Sequence, residues 1–318
     1  MPQISIVVVT WNSQQVLEGC VASLFEKVPA ELFELFLVDN NSSDPTYLNS
    51  YEKHTNIRIV RNNENLGFAK AVNIGLRKAS GHYFLILNPD MIFDSNPFPR
   101  IIEEIERNPS IGAIGPLLYG IDGKPQIENF YPTLPTFMQF IVLRSFLAKL
   151  PGFRKLAMVF FHAQIGARGV HFVEQIPGAF LFFRSTLFLE EPVLDEAYFI
   201  WMEDVDFCQR IHDKGLKVAV VADEKITHIG GTSFRMWDDA SKKLRFTRSY
   251  LTYLNLHMSF PAYLANVLLM LLNTICIMLI TPIFHIPSGF KKIRANLDLQ
   301  KKVFKLILTD LVNRLKQE

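Results

Sequence analysis

The stretch Tyr83-Phe84-Leu85-Ile86-Leu87-Asn88-Pro89-Asp90 constrains this 318-residue chain more than any other. Its apolar opening reads as a short buried strand. Pro89 has no N–H for a sheet ladder, so pairing ends there and the chain turns outward. Asp90 then stands at the carboxyl end of a buried strand. In open α/β sheets that edge is where ligands bind, and a carboxylate there can hold a divalent cation against a phosphate. The alternative role for Asp90 is to cap the turn with its own backbone.

The pattern on either side is β-α-β-α. Residues 4–10 form a β-branched run, read as a buried parallel strand. Asn12, with Gln15 three residues on, resembles a capping box ahead of a helix carrying Val16, Leu17, Val21, Leu24 and Phe25 on one face. A strand at 35–38 ends in the polar cluster Asp39-Asn40-Asn41-Ser42-Ser43-Asp44. A third strand at 57–60, a polar loop through Gly67 and another helix lead into the 83–87 strand. Strands are also expected at 111–118, 176–183 and 217–221. This order argues an α/β fold, a sheet with helices on both faces. A helix at 201–213 opens on Trp201-Met202-Glu203-Asp204-Val205-Asp206 and stops at Gly215. Carboxylates are at home at a helix start, so capping is the plain role for Glu203 and Asp204, and a low pKa is expected for Asp204. Asp206 and Arg210 are spaced as an i, i+4 pair. His228 is followed by Gly230 and Gly231, which lets backbone come close to a ligand.

Composition bears mainly on location. Lys plus Arg is 33 against 31 for Asp plus Glu, which gives no reason to expect nucleic acid as a partner. No acidic residue occurs between Glu128 and Glu174, nor between Asp239 and Asp298, while both windows carry Lys and Arg. Such windows suit an anionic membrane surface. The window 132–165, rich in Phe and Leu with Arg144, Lys149, Arg154 and Lys155, reads as an interfacial helical pair, against the alternative of ordinary soluble helices. Residues 262–284 carry no charge and approach the ~20 residues that cross a bilayer. Asn266 and Asn273 interrupt them and both flanks are basic, so a single crossing and a re-entrant hairpin bent near Asn273 are both open. A basic amphipathic helix follows residue 291. Cys20, Cys208 and Cys276 have neither disulfide nor zinc spacing, and the N-terminus lacks a secretory pattern, which points to a reducing cytosol. No P-loop, zincin, nucleophile-elbow or dinucleotide-binding motif occurs.

Six stretches together carry a resemblance. Ser5 to Asn12, Val38 to Asp44, Asn65-Leu66-Gly67-Phe68-Ala69, Leu87-Asn88-Pro89-Asp90, Glu203-Asp204-Val205-Asp206 and His228 to Ser233 resemble, in this order, an inverting family 2 glycosyltransferase. Asn88-Pro89-Asp90, with Trp11-Asn12 and Gly178-Ala179, is most similar to the rhamnosyltransferase-like branch. The resemblance implies a GT-A fold over 1–240, with 132–165 as an insertion, and a membrane-associated helical region over 241–318. It implies that Thr10, Asp39, Asn65, Gly67 and Asn88 line the donor. Asp39 would accept the imide N–H of a uracil or thymine base, where cytosine would offer a clashing lone pair. It implies Asp90 and His228 as ligands of Mg²⁺ or Mn²⁺, Asp204 as catalytic base, and Glu203 and Trp201 as acceptor-orienting candidates. Asn88 departs from the family's Asp-x-Asp, so the ion is expected to arrive with the donor diphosphate.

The expected activity is inverting transfer from a dTDP- or UDP-linked sugar, with dTDP-rhamnose as the expected donor. The acceptor would be a lipid-linked saccharide or polysaccharide at the cytoplasmic face of the membrane. The competing expectation is a non-catalytic nucleotide-sugar sensor or membrane scaffold.

Overall fold

The computed structural model describes residues 2–127, 133–141, 145, 152, 160, 165–189, 191–230, 237–284 and 290–317. The chain forms two compact units. One comprises Met1–Leu134 and His162–Met236; the other comprises Pro135–Phe161 and Trp237–Glu318.

The first unit is built on a nine-stranded sheet among the described residues. β1 (Ile4–Thr10), β2 (Phe33–Asp39), β3 (Ile57–Arg61) and β4 (Tyr83–Leu87) form its parallel half in the order β3-β2-β1-β4. Helices α1 (Gln14–Lys27) and α2 (Phe68–Leu76) cover opposite faces. Ile4, Ile6 and Val8 of β1 pack in one core layer and Val7 and Val9 in the other, which is why the run shows no polar alternation. The far half is mixed. β4 pairs antiparallel with β8 (Phe180–Arg184), which pairs antiparallel with β6 (Ile111–Tyr119). β6 lies parallel to β9 (Lys217–His228), and β9 also takes β5 (Met91–Phe93) and β7 (Val170–Val173) antiparallel. α3 (Phe98–Arg107) and α4 (Glu203–Asp213) complete the layers.

Three local expectations change. The first helix begins at Gln14 with Ser13 before it and no side-chain cap, because Asn12 Oδ1 instead accepts from Ser43 N and Oγ at 2.8 Å. Asn12 therefore ties the end of β1 to the end of β2. The strand expected at 176–183 starts at Phe180, since 178–179 is a turn. β9 continues past 221 to His228, which carries the histidine to the edge beside β5.

In the second unit, α5 (Asp239–His257), α6 (Phe260–Phe284) and α7 (Phe290–Leu315) pack side by side. Tyr263 Oη donates to Asp310 Oδ2 at 2.6 Å, and Asn255 Nδ2 bonds the same carboxylate, so one acid joins all three helices. α6 runs unbroken through Asn273, without the bend that the hairpin alternative needs there. Asn273 is buried, with its polar group turned inward rather than spent on breaking the helix. Most of the basic aromatic window 132–165 lies outside the described residues, apart from short pieces such as the helical turn Phe137–Gln139, where Thr136 accepts from Gln139 N.

Candidate active site

Parallel pairing sets the first group. Thr10 and Asp39 are register partners at the last rung of β1 and β2, so both reach the carboxyl edge together. Thr10 Oγ1 is 2.7 Å from Tyr47 Oη, and Asp39 Oδ1 accepts from Ser42 Oγ. Tyr47 Oη also lies 3.2 Å from Ser42 Oγ, so a partly buried chain of hydroxyls runs from Thr10 to the Asp39 carboxylate. Asn40, next in sequence, donates to Asn65 Oδ1 and to the Gly67 carbonyl, while its own Oδ1 accepts from Leu66 N and Asn62 Nδ2. The β2 exit and the 62–67 loop are thereby one hydrogen-bonded body.

Gly67 is required by geometry. Its φ is +85°, and a Cβ there would meet the Phe199 carbonyl oxygen at 2.5 Å. The next amide, Phe68 N, donates to that same carbonyl at 2.7 Å. The loop is thus joined to the segment leading into α4.

The second group surrounds Asp90. Met91 of β5 is the register partner of His228, and Ile229 N donates to the Asp90 carbonyl. The side chains of Asp90 and His228 are both buried, with His228 Nε2 3.5 Å from Asp90 Oδ1. Gln126 orients the ring. Its Nε2 donates to the His228 carbonyl at 3.2 Å, so its Oε1 faces His228 Nδ1 at 3.0 Å, and Nδ1 must carry a hydrogen to make that bond. Nε2 thus faces the Asp90 carboxylate, and the pair offers one imidazole nitrogen and one carboxylate oxygen to a metal ion. The donor set, one hard oxygen and one imidazole nitrogen, fits Mn²⁺ readily and Mg²⁺ less so. Residues 231–236, which include the rest of the motif after Gly230, lie outside the described residues.

The third group is the start of α4. Asp204 Oδ2 accepts from Gly178 N at 3.0 Å and Oδ1 accepts from Val205 N at 2.9 Å. Ala179, beside Gly178, accepts from Asn88 N at 3.0 Å. Asp204 is therefore held one dipeptide away from the turn that carries Asn88 and Asp90, although they are far apart in sequence. Asp204 remains partly accessible.

Glu203 differs from Asp204. It is buried, and its Oε2 has no hydrogen-bond partner. Burial, and then the adjacent Asp204, push the Glu203 carboxyl well above the usual range. Burial also raises Asp204, with the Gly178 and Val205 amides pulling the other way. The low pKa expected for Asp204 from its helix-start position is thus overturned: loss of hydration outweighs the dipole and the two amides. The step into α4 is strained as well. Trp201 and Met202 have φ of 63° and 70°, a left-handed conformation that bulky residues rarely adopt and that costs about 1–3 kcal/mol each. Trp201 itself is half-buried. Asp206 pairs with Arg210 at 2.9 Å within α4, a structural contact as its spacing suggests.

All ten residues singled out from the sequence therefore fall in three linked groups on one sheet edge or in the loops beside it. Tyr47, Gln126, Phe199 and the strained Trp201-Met202 step join them. Gln126 had no local signal, since its role depends wholly on a partner at His228. Tyr47 sits in a short 3₁₀ segment, Pro45–Tyr51, just past the polar cluster, which was its one pointer.

Comparison with known proteins bears on the family and the fold. The family model described as glycosyl transferase family 2 matches residues 5–186, more than half of the chain. An N-acetylglucosaminyl-diphospho-decaprenol L-rhamnosyltransferase of Mycobacterium tuberculosis is 26% identical over 239 residues, covering 70% of this chain and 75% of that protein. Among solved structures, GalNAc-T7 with UDP, GalNAc and Mn²⁺ superposes with a TM-score of 0.62 at 16% identity, covering 100% of this chain and 58% of the other. The mannosyltransferase PcManGT of Pyrobaculum calidifontis, in complex with GDP-Man and Mn²⁺, gives 0.56 at 15% identity, covering 98% and 87%. The sheet is the GT-A-like α/β arrangement of those enzymes, and the chain belongs to glycosyl transferase family 2.

Proposed function

We propose that this chain transfers a sugar, with inversion, from a nucleotide diphospho-sugar to a lipid-linked saccharide at the cytoplasmic face of a membrane. dTDP-rhamnose is the favoured donor. The observation that carries the reading is the tether from Asp204 to Gly178 beside the Asn88–Asp90 turn. It brings the Asp204 carboxylate beside the place where a donor diphosphate would lie.

Asp39 would accept the imide N–H of the base, with Thr10 and Tyr47 beside it. Asn65, Gly67 and Asn88 would line the rest of the donor. Asp90 and His228 would hold Mg²⁺ or Mn²⁺, an ion that supplies counter-charge for the leaving nucleoside diphosphate. Among the described residues no cluster of three His, Cys, Asp or Glu side chains forms, which supports binding of the ion together with the diphosphate. Asp204 would take the acceptor hydroxyl's proton as that oxygen attacks the anomeric carbon opposite the leaving group. Its raised pKa makes it a better base than a fully hydrated aspartate. Glu203, whose carboxyl burial pushes well above the usual range, and Trp201 would orient the acceptor.

The rhamnose assignment is supported by the mycobacterial relative and by the Asn-Pro-Asp form of the turn. The full chain, incubated with dTDP-rhamnose or a panel of UDP-sugars and with polyprenyl-diphospho-N-acetylglucosamine, tests it. The expected result is nucleoside diphosphate release and a matching mass gain on the acceptor from dTDP-rhamnose, abolished by chelator. Transfer from a UDP-sugar alone would replace the donor assignment, and full activity in excess chelator would remove Asp90 and His228 from the metal role.

A further inference from the structure

The C-terminal unit carries an amphipathicity that is inverted relative to a water-soluble bundle. Along α6 the outward stripe is Leu268, Leu272, Ile275 and Leu279, exposed to 52%, 57%, 39% and 69%. The buried side of the same helix carries Asn266, Asn273, Thr274 and Thr281, all 7% exposed or less. The inner side mixes these polar groups with Tyr263, Val267 and Met270, while the outer stripe is wholly apolar. This is the arrangement expected where the surrounding medium is hydrocarbon.

The obvious reading of such a helix is a single crossing. Its 25 residues span ~37 Å, enough for a hydrocarbon core of ~30 Å. Its packing argues otherwise. Tyr263 near the start of α6 bonds Asp310 of α7 and has the Arg314 guanidinium over its ring. Further along, Met270, Asn273, Thr274 and Ile277 share a cavity of ≈ 300 Å³ with Gln300, Val303 and Ile307 of α7. The two helices therefore run antiparallel, side by side, over 263–277 and 300–314. α7 carries Asp298, Lys301, Lys302 and Lys305 on its exposed side, with Lys301 70% exposed. If α6 stood across the bilayer, these charges would stand beside it in hydrocarbon, which is costly for exposed Lys and Asp. If α6 lies flat, its leucine stripe enters the acyl region and the α7 lysines stay at phosphate level. The exposed Leu308, Val312 and Leu315 extend the apolar surface at the other end of α7.

We infer that α6 lies in the plane of an anionic membrane leaflet with Leu268, Leu272, Ile275 and Leu279 inserted, so that this unit is monotopic and does not span. The surface belongs to the C-terminal unit alone, so vesicle binding and donor binding can be lost separately. The inference deepens the membrane location proposed above, but it does not rest on the chemistry proposed there.

The test uses the full chain with Cys276 replaced by Ser and one new cysteine at a time at 268, 272, 275, 279 or 301, each carrying an environment-sensitive fluorophore. The native Cys20 and Cys208 are buried. Vesicles of phosphatidylcholine with phosphatidylglycerol carry a quencher either near the headgroup or near the chain end. In-plane insertion gives one shallow depth at all four stripe positions and an aqueous signal at 301. Depth that deepens towards the middle of α6, with quenching at 301, would establish a crossing and overturn the inference. Absence of quenching together with dimer formation would assign the stripe to a second copy. The double substitution Leu272→Asp, Leu279→Asp changes only exposed positions. It should weaken vesicle binding at least roughly tenfold and leave donor affinity unchanged; unchanged vesicle binding would also overturn the inference.

Discussion

At the scale of single residues, two adjacent carboxylates are separated by burial. Asp204 keeps an accessible edge and two amide partners, while Glu203 has an oxygen buried without a partner. Asp204→Asn preserves size, so the fold should survive and donor affinity should hold. Transfer should fall by roughly 10²–10⁴-fold, the usual worth of general-base help. Steady-state transfer and isothermal titration with nucleotide measure the two quantities. Glu203→Gln resembles the neutral form of the native side chain and should lose far less activity; the reverse order would move the base to Glu203. Gln126 acts through His228. Gln126→Leu removes the acceptor that fixes the ring, and should weaken Mn²⁺ binding in the presence of nucleoside diphosphate by about 10–100-fold. Electron paramagnetic resonance titration of Mn²⁺ reads that directly, and unchanged affinity would make Gln126 a packing residue only.

At the scale of elements, the site depends on how loops are pinned to strand ends. The 62–67 loop reaches the α4 lead-in only because Gly67 lets its backbone meet the Phe199 carbonyl. Gly67→Ala must place a methyl carbon against that oxygen and hold φ near +85°. It should cost more than the ~1 kcal/mol of an ordinary glycine exchange. The expected outcome is a lower denaturation midpoint and a larger loss of donor affinity than at an exposed loop glycine such as Gly123, which has open space around it. Equal effects at the two positions would mean that the loop and α4 are not coupled. The strained Trp201-Met202 step is the other pinned element, and it turns the chain so that Glu203 enters the buried side of α4 while Asp204 reaches Gly178.

At the scale of the whole molecule, the buried acid sets a pH dependence of stability. Glu203 binds its proton more tightly folded than unfolded, since its pKa rises from 4.5 on folding. Below the ordinary carboxylate range both states are protonated and nothing changes. As pH rises from there through the folded pKa, the unfolded chain releases the proton first, so stability falls. Wild type should therefore lose more Tm between about pH 5 and about pH 8 than Glu203→Gln, whose amide cannot ionise. Scanning calorimetry at both pH values checks this, and parallel losses would show that Glu203 titrates normally. Neither state of this group is expected to affect vesicle binding, which belongs to the other unit.

The sequence by itself determined most of the elements and the edge on which the polar strand ends gather. Buried runs such as 4–10 and 83–87 must pair, and a proline at a strand end must release the chain, so Asn88, Asp90 and the Asp39 cluster had to lie on one edge. These are local rules that need only neighbours in sequence. What tertiary structure decided depends on partners distant in sequence. Asn12 bonds Ser43 instead of capping its own helix, because β1 and β2 end side by side. β4 takes an antiparallel neighbour that begins nearly a hundred residues later. Gln126 meets His228 only after β9 has run its full length. The pKa of Asp204 turned on burial, which no helix position encodes. Composition alone leaves the charge-free run 262–284 open to crossing or folding back; the charges of α7 packed beside it are visible only in the tertiary structure, and the in-plane placement proposed above is argued from them.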